Sequence, residues 1–169
     1  MKVVETERLV LRRATADDAA FILELVTDPS WTRYIGKSKV ASLEDAASYI
    51  ERALVSMYED KGFGLYLMEL KQTGEPVGLC GLIKRPTLDD VDLGFAILPA
   101  FCRRGLTLEA AEATLDFAKR ELGLTRVVAI TSLENPASIA LLEKLGFEFE
   151  QRIQPEDTGD ELRLFGLAL

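Results

Sequence analysis

Residues 98–123 read LPAFCRRGLTLEAAEATLDFAKRELG. Its second half carries Leu108, Ala111, Leu115, Ala118 and Leu122, at spacings of 3, 4, 3 and 4. That is the apolar stripe of a helix with one face toward a core. Glu109, Glu112, Asp116 and Lys119 fall on the solvent side. Upstream, DVDLGFAIL (90–98) has the alternation of a strand. Downstream, RVVAITS (126–132) is an unbroken apolar run, the mark of a strand buried on both faces. Strand, helix, strand implies a right-handed crossover and a locally parallel pair.

The rest of the chain extends this unit. ERLVLRRA (7–14) alternates as a first strand. TADDAAFILELVTD (15–28) is a helix with Thr15 as N-cap, two aspartates in its first turn and a stripe of Phe21, Ile22, Leu25 and Val26; Pro29 closes it. SLEDAASYIERALVSMYEDKG (42–62) is a second helix, capped by Ser42 and stopped by Gly62. FGLYLMELK (63–71) and PVGLCGLIKR (76–85) are strands, with QTGE and PTLDD as hairpin loops. NPASIALLEKLGF (135–147) is a short helix with Asn135 as N-cap, Pro136 at the first position and Gly146 past its end. FEFEQRI (147–153) and ELRLFGLAL (161–169) are two last strands around the turn PEDTGD. The order β-α-α-β-β-β-α-β-α-β-β predicts an α/β fold with a mixed central sheet of about seven strands, in one domain over residues 1–169.

Composition narrows the chemistry. The net charge of −8 argues against nucleic-acid binding, which depends on Lys and Arg meeting phosphates, and suits cationic partners such as amines. With no histidine, neither a His-activated nucleophile nor a His metal site is possible, and no metal is expected. The two cysteines, Cys80 and Cys102, have no C-x-x-C spacing. No apolar run approaches the ~20 residues of a membrane span, and MKVVETERLVLRR has no signal-peptide core; a cytoplasmic protein without membrane contact is expected.

The stretch 99–107 precedes a helix N-terminus, where unpaired N–H groups and about half a positive charge favour anions. Gly105 lets backbone approach a bulky anion, and Arg103 and Arg104 add charge. The same residues also suit an ordinary basic turn leading into a helix. Neither G-x-G-x-x-G nor G-x-x-x-x-G-K-[ST] is present.

LGFAILPAFCRRGLTLEAA together with TSLENPASIALLEKLGFEF resembles the GNAT superfamily of acetyl-CoA-dependent N-acetyltransferases. ETERLVLRRATADDAAFILEL and WTRYIG are similar, more narrowly, to the ribosomal-protein-alanine N-acetyltransferase branch. The resemblance implies that the fourth and fifth strands splay apart and admit acetyl-CoA between them. It places the pyrophosphate on Arg103, Arg104, Gly105, Leu106 and Thr107, within the pattern Gln/Arg-x-x-Gly-x-Gly/Ala. Cys102 stands at the first position and Thr107 at a last position usually kept small.

The implied chemistry is direct attack of an amine, from a small molecule or a protein N-terminus, on the acetyl thioester, with coenzyme A leaving as thiolate. Asp92 matches a Glu of the branch and is the candidate base; otherwise it is a solvated edge acid. Glu69 and Glu134 are weaker alternatives. Backbone N–H groups near Ile97 and Leu98 are implied as oxyanion donors. The family's acid is a Tyr at a position held here by Leu142; Ser138 is the replacement candidate, or merely a first-turn serine. Asn135 is implied as a cofactor contact besides its cap, and Lys144 as a partner for the 3′-phosphate or a plain last-turn cation. Trp31, Arg33 and Tyr34, in the loop between the first two helices, are implied to wall the acceptor pocket or else to belong to the core. A non-catalytic acyl-CoA-binding module and a plain interaction domain are the rival readings. The chain is expected to be a monomer or a homodimer.

Overall fold

The strand candidates assemble into one eight-stranded sheet. Its strands are β1 (Lys2–Glu5), β2 (Leu9–Arg12), β3 (Leu65–Leu70), β4 (Pro76–Ile83), β5 (Asp92–Ile97), β6 (Arg126–Ser132), β7 (Glu148–Ile153) and β8 (Leu162–Ala168). They lie in the order β1-β2-β3-β4-β5-β6-β8-β7, and every pair is antiparallel except β5–β6. The computed structural model describes residues 1–155 and 159–169, so the turn expected at 155–160 lies partly outside the described residues. The strand beyond the expected seven is β1. It folds back on β2 through a turn in which Thr6 N–H donates to Leu9 O at 2.8 Å and Leu9 N–H to Thr6 Oγ1 at 3.0 Å. Its two apolar residues, Val3 and Val4, are adjacent, so no alternation announces it.

The helices follow their caps. Thr15 and Asp18 form a capping box, and a 3₁₀ turn over Ala16–Asp18 leads into α1 (Ala19–Thr27). Pro29 ends α1 but also opens a short helix, α2 (Pro29–Tyr34), with Asp28 Oδ1 accepting from Ser30 N–H at 2.9 Å. The expected loop around Trp31, Arg33 and Tyr34 is therefore a helix: Asp-Pro is an N-cap followed by a first-turn proline. Ser42 caps α3 (Leu43–Tyr49), which widens to a π-helical segment at Ile50–Val55 and continues as α4 (Ser56–Lys61), ending at Gly62 with φ 78°. The crossover helix α5 (Leu106–Arg120) joins β5 to β6, and α6 (Pro136–Lys144) follows β6, with Asn135 Oδ1 accepting from Ser138 N–H.

Helix α5 lies on one sheet face. Cys80 Sγ is 3.6 Å from Thr114 Oγ1, so Cys80 and its β5 partner Phe95 point toward α5. Asp92, Gly94 and Ala96 then point to the other face, as alternation requires. Of the α5 acids expected in solvent, Glu112 and Asp116 are exposed, but Glu109 is partly buried against the β1–β2 turn. Two glycines let strands sit this close: a Cβ on Gly78 would be 2.3 Å from Ala96 O, and one on Gly81 2.1 Å from Gly64 O.

Candidate active site

The parallel pair β5–β6 exists at one point only, Asp92 opposite Val128, where Val128 N–H donates to Val91 O at 3.0 Å. Beyond it the two strands diverge. Hydrogen-bond alternation shows which groups line the gap. Leu98 N–H donates to Val77 O at 2.9 Å, so every second residue back along β5 also bonds to β4. The N–H and C=O groups of Phe95 and Ile97 therefore face the gap. On β6, Leu169 N–H donates to Thr125 O at 2.9 Å, which commits residues 127, 129 and 131 to β8 and turns Ile130 and Ser132 toward β5. An edge-lined cleft results, about 17 Å long from Asp92 to Ile97 at the usual rise of a strand. It corrects one expectation: Leu98 N–H is already used within the sheet, while Ile97 N–H remains on the open edge.

Past Ile97 the chain turns through Pro99–Phe101 and a basic loop into the N-terminus of α5. Gly105 is its N-cap at φ 76°, and no side chain caps the helix. Arg103 also takes a positive φ, 64°, so two nearly adjacent left-handed residues turn the loop. Arg103, Arg104 and Gly105 are exposed, Thr107 is half-buried, and Leu106 anchors the first turn in the core. Arg8 was missed from sequence. Its guanidinium donates to Arg104 O at 2.9 Å and to Glu109 Oε1 at 2.8 Å, bracing the loop from the β1–β2 turn. Burial raises the Glu109 carboxyl, but hydrogen bonds from Thr6 and from the Arg8 backbone and side chain outweigh it and hold the group below its usual range. Glu109 therefore stays ionised in the first turn of α5, its charge answered by Arg8.

The narrow end holds Asp92. Only 1% of it is exposed, so it is no solvated edge acid. Arg85 Nε donates to its Oδ2 at 2.8 Å. Arg85 was also missed, although the hairpin register gives it away: Ile83 pairs with Asp92, putting Arg85 two residues beyond the pair. Tyr49 stands in the field of the same Arg85; burial raises its phenol, with Arg52 and Arg85 pulling the other way. Glu69 lies elsewhere, bound to Arg12 at 2.8 Å.

At the end of β6, Thr131 Oγ1 and Ser132 Oγ are buried with no hydrogen-bond partner among the described residues. Their signal in the sequence was a Thr-Ser pair ending an otherwise apolar strand. Asn135 is 8% exposed, and Ser138 is half-buried one turn into α6. Lys144 is apart from this group, sharing a depression of about 370 Å³ with Glu112, Asp116 and Lys119 near the far end of α5. Trp31 packs on the core, whereas Arg33 is exposed and stacks over Tyr34 at 5.0 Å. Cys102 is exposed, and burial of its sulfur, only partly offset by Arg103, pushes the thiol up, away from nucleophilic thiolate. Cys80 is fully buried, its thiol pushed up to about 12. Among the described residues no cluster of His, Cys, Asp or Glu is placed to hold a metal, and no helix is long and apolar enough to cross a membrane.

A profile of the acetyltransferase (GNAT) domain matches residues 8–148. The chain belongs to the GNAT acetyltransferase family. YoaA of Bacillus subtilis strain 168, described as an uncharacterized N-acetyltransferase, is 31% identical over 149 residues, covering 88% of this chain and 84% of that protein. The fold is shared with an acetyltransferase from Agrobacterium tumefaciens strain C58 at a TM-score of 0.83 and 24% identity, over 99% of this chain and 94% of that one. It is shared also with a ribosomal-protein-S5-alanine acetyltransferase from Vibrio fischeri, at 0.78 and 17% identity, over 99% and 96% of the two chains. Within this family the chain departs at Leu142, which is fully buried in the core where the resemblance implies a tyrosine acid.

Proposed function

We propose that this acetyltransferase moves an acetyl group from acetyl-CoA to a primary amine by direct attack, the amine belonging to a small molecule or a protein N-terminus. The observation that carries the reading is the cleft itself. It is an interrupted parallel ladder with open backbone groups on both edges and a buried carboxylate at its closed end, and its β5 edge continues through a short basic loop into an uncapped helix N-terminus. The wide end suits a pyrophosphate through the first N–H groups of α5, the exposed backbone of Gly105 and the charges of Arg103 and Arg104. The edges suit an extended, amide-bearing arm that takes up the ladder positions of Phe95, Ile97, Ile130 and Ser132.

Acetyl-CoA supplies an acyl group already activated as a thioester. The chain then has three tasks. It orients the donor by the ladder edges and the α5 terminus. It presents the open-edge N–H of Phe95, nearer to Asp92 than that of Ile97, toward charge developing on the carbonyl oxygen. It takes a proton from the incoming ammonium group, a role for Asp92 acting across water. On the face of Asp92 the Ile83 and Leu65 side chains cover Gly94, so the acceptor has to approach from beside them. Calorimetry with acetyl-CoA tests the reading first, and the absence of binding ends it. Release of free thiol across a panel of amines then tests transfer.

A second reading, a non-catalytic acyl-CoA-binding module, is favoured by Leu142, which removes the family acid. Binding of acetyl-CoA with no thiol release over the whole amine panel would select it.

A further inference from the structure

Arg8 in the β1–β2 turn makes more contacts with the start of α5 than stability requires. Its backbone N–H donates to Glu109 Oε2 at 2.9 Å and its Nε to Oε1 at 2.8 Å, while Thr6 Oγ1 donates to Oε2 at 2.5 Å. Its Nη1 donates to Arg104 O at 2.9 Å. Its Nη2 has no hydrogen-bond partner among the described residues and lies beside Gly105, where a Cβ would come within 3.4 Å of it. The Arg8 side chain is 46% exposed, and an ion pair so far in water contributes little to folding.

The bond to Arg104 O has a directional consequence. A trans peptide plane carries its C=O and its N–H on opposite sides. Tying Arg104 O to Arg8 therefore turns the Gly105 N–H away from the β1–β2 turn, and no hydrogen bond among the described residues engages that N–H. The same bond restrains a backbone that alternates in hand, with φ positive at Arg103 and Gly105 and negative at Arg104 and Leu106. Such alternation gathers successive N–H groups on one concave side, and an arginine stays at positive φ only where its surroundings hold it there.

The contact with Glu109 has an electrostatic consequence. A carboxylate in the first turn of α5 repels a phosphate at the same helix start. Arg8 offsets that charge and, through Nη2, brings positive charge beside Gly105.

We propose that Arg8 is a positioning residue for the pyrophosphate of the donor: it aims the Gly105 N–H and offsets Glu109, so that an anion is accepted at the start of α5. This rests on the acetyl-CoA reading above. It adds a residue from a distant turn, outside the loop 102–107, on which donor affinity depends.

The test compares Arg8→Met and Glu109→Gln with the wild type by calorimetry. Both substitutions break the same ion pair, so a common loss of stability cancels between them. Two ligands are used: acetyl-CoA, and adenosine 3′-phosphate 5′-diphosphate, which carries the phosphates without the arm. Arg8→Met is expected to weaken both ligands by the same factor, roughly 10-fold, on the scale of one hydrogen bond to a charged group. Glu109→Gln keeps the bond from Arg8 to Arg104 O and removes a negative charge, so it should bind both ligands at least as tightly as the wild type. Equal weakening in the two variants overturns the proposal, since the ion pair would then serve folding alone. Unchanged affinity in Arg8→Met also overturns it and leaves the acetyl-CoA reading intact. So does a loss confined to acetyl-CoA, which would place the effect on the arm and not on the phosphates. A wild type that binds no acetyl-CoA overturns both readings together.

Discussion

Arg85 Nε stands 2.8 Å from Asp92 Oδ2, joining a guanidinium that is 31% exposed to a carboxylate that is 1% exposed, at the point where β5 and β6 part. The pair places a carboxylate in the interior at the narrow end of the cleft, where the proposed function has an acceptor amine lose its proton.

The two members should therefore respond differently to mutation. Asp92→Asn keeps size and shape and should lower the transfer rate by 10²-fold or more, on the order of a lost general base, with acetyl-CoA affinity unchanged. Steady-state kinetics beside calorimetry check this, and a wild-type rate removes Asp92 from the mechanism. Arg85→Met strands an interior carboxylate without its guanidinium. It should cost roughly 3 kcal/mol of stability, the low end for a buried pair because Arg85 is partly in water. Urea denaturation measures it.

Gly105→Glu should abolish acetyl-CoA binding, since it puts a negative side chain at the helix start proposed to hold the pyrophosphate. Gly105→Ala separates backbone from charge. At φ 76° an alanine is strained by about 1–2 kcal/mol, and its Cβ comes 3.4 Å from an Arg8 nitrogen. The alanine variant should melt lower yet still bind, and calorimetry that finds full affinity in the glutamate variant counts against the phosphate loop.

Glu109 links the loop to solution pH. Its folded-state pKa lies below the ordinary value of about 4.3, so its contribution to stability is present above that pH and is lost as pH falls through the folded value. The melting temperature of Glu109→Gln should be lower than that of the wild type at pH 7, and the two should converge on acidification below about pH 4. A constant difference across the titration would place the stabilisation in packing and not in charge.

Gly78→Ala should damage the frame of the cleft. Its Cβ would fall 2.3 Å from the backbone oxygen of Ala96, which cannot rotate away as a side chain can. Pushing β4 from β5 should cost about 1–3 kcal/mol or more, read as a fall in melting temperature.

The local signals in the chain reached far. Caps at Thr15, Ser42 and Asn135 and stops at Gly62 and Gly146 act within a few residues, and the helices begin and end there. The stretch 98–123 carried the crossover for the same reason: its stripe, its glycine and the apolar strand after it are local features. Strand β1 escaped because its two valines are adjacent and do not alternate, and α2 because an Asp-Pro step closes one helix and opens another with the same two residues.

The site was legible only in part. Gly105, Arg103, Arg104 and Asp92 stood out as candidates because an anion site and a base call for recognisable residue types. Arg8, 96 residues from Arg104, could not, since their contact depends on how β1, β2 and α5 pack. Nor could the fate of Leu98 N–H, which depends on the register with Val77. The sequence by itself determined the elements, their order and the chemical character of the loop before α5, because these rest on periodicity, caps and charge within short windows. Only the tertiary structure decided that β5 and β6 pair at a single point and that Asp92 is buried on Arg85. Those facts belong to packing between distant segments, which no window of the chain contains.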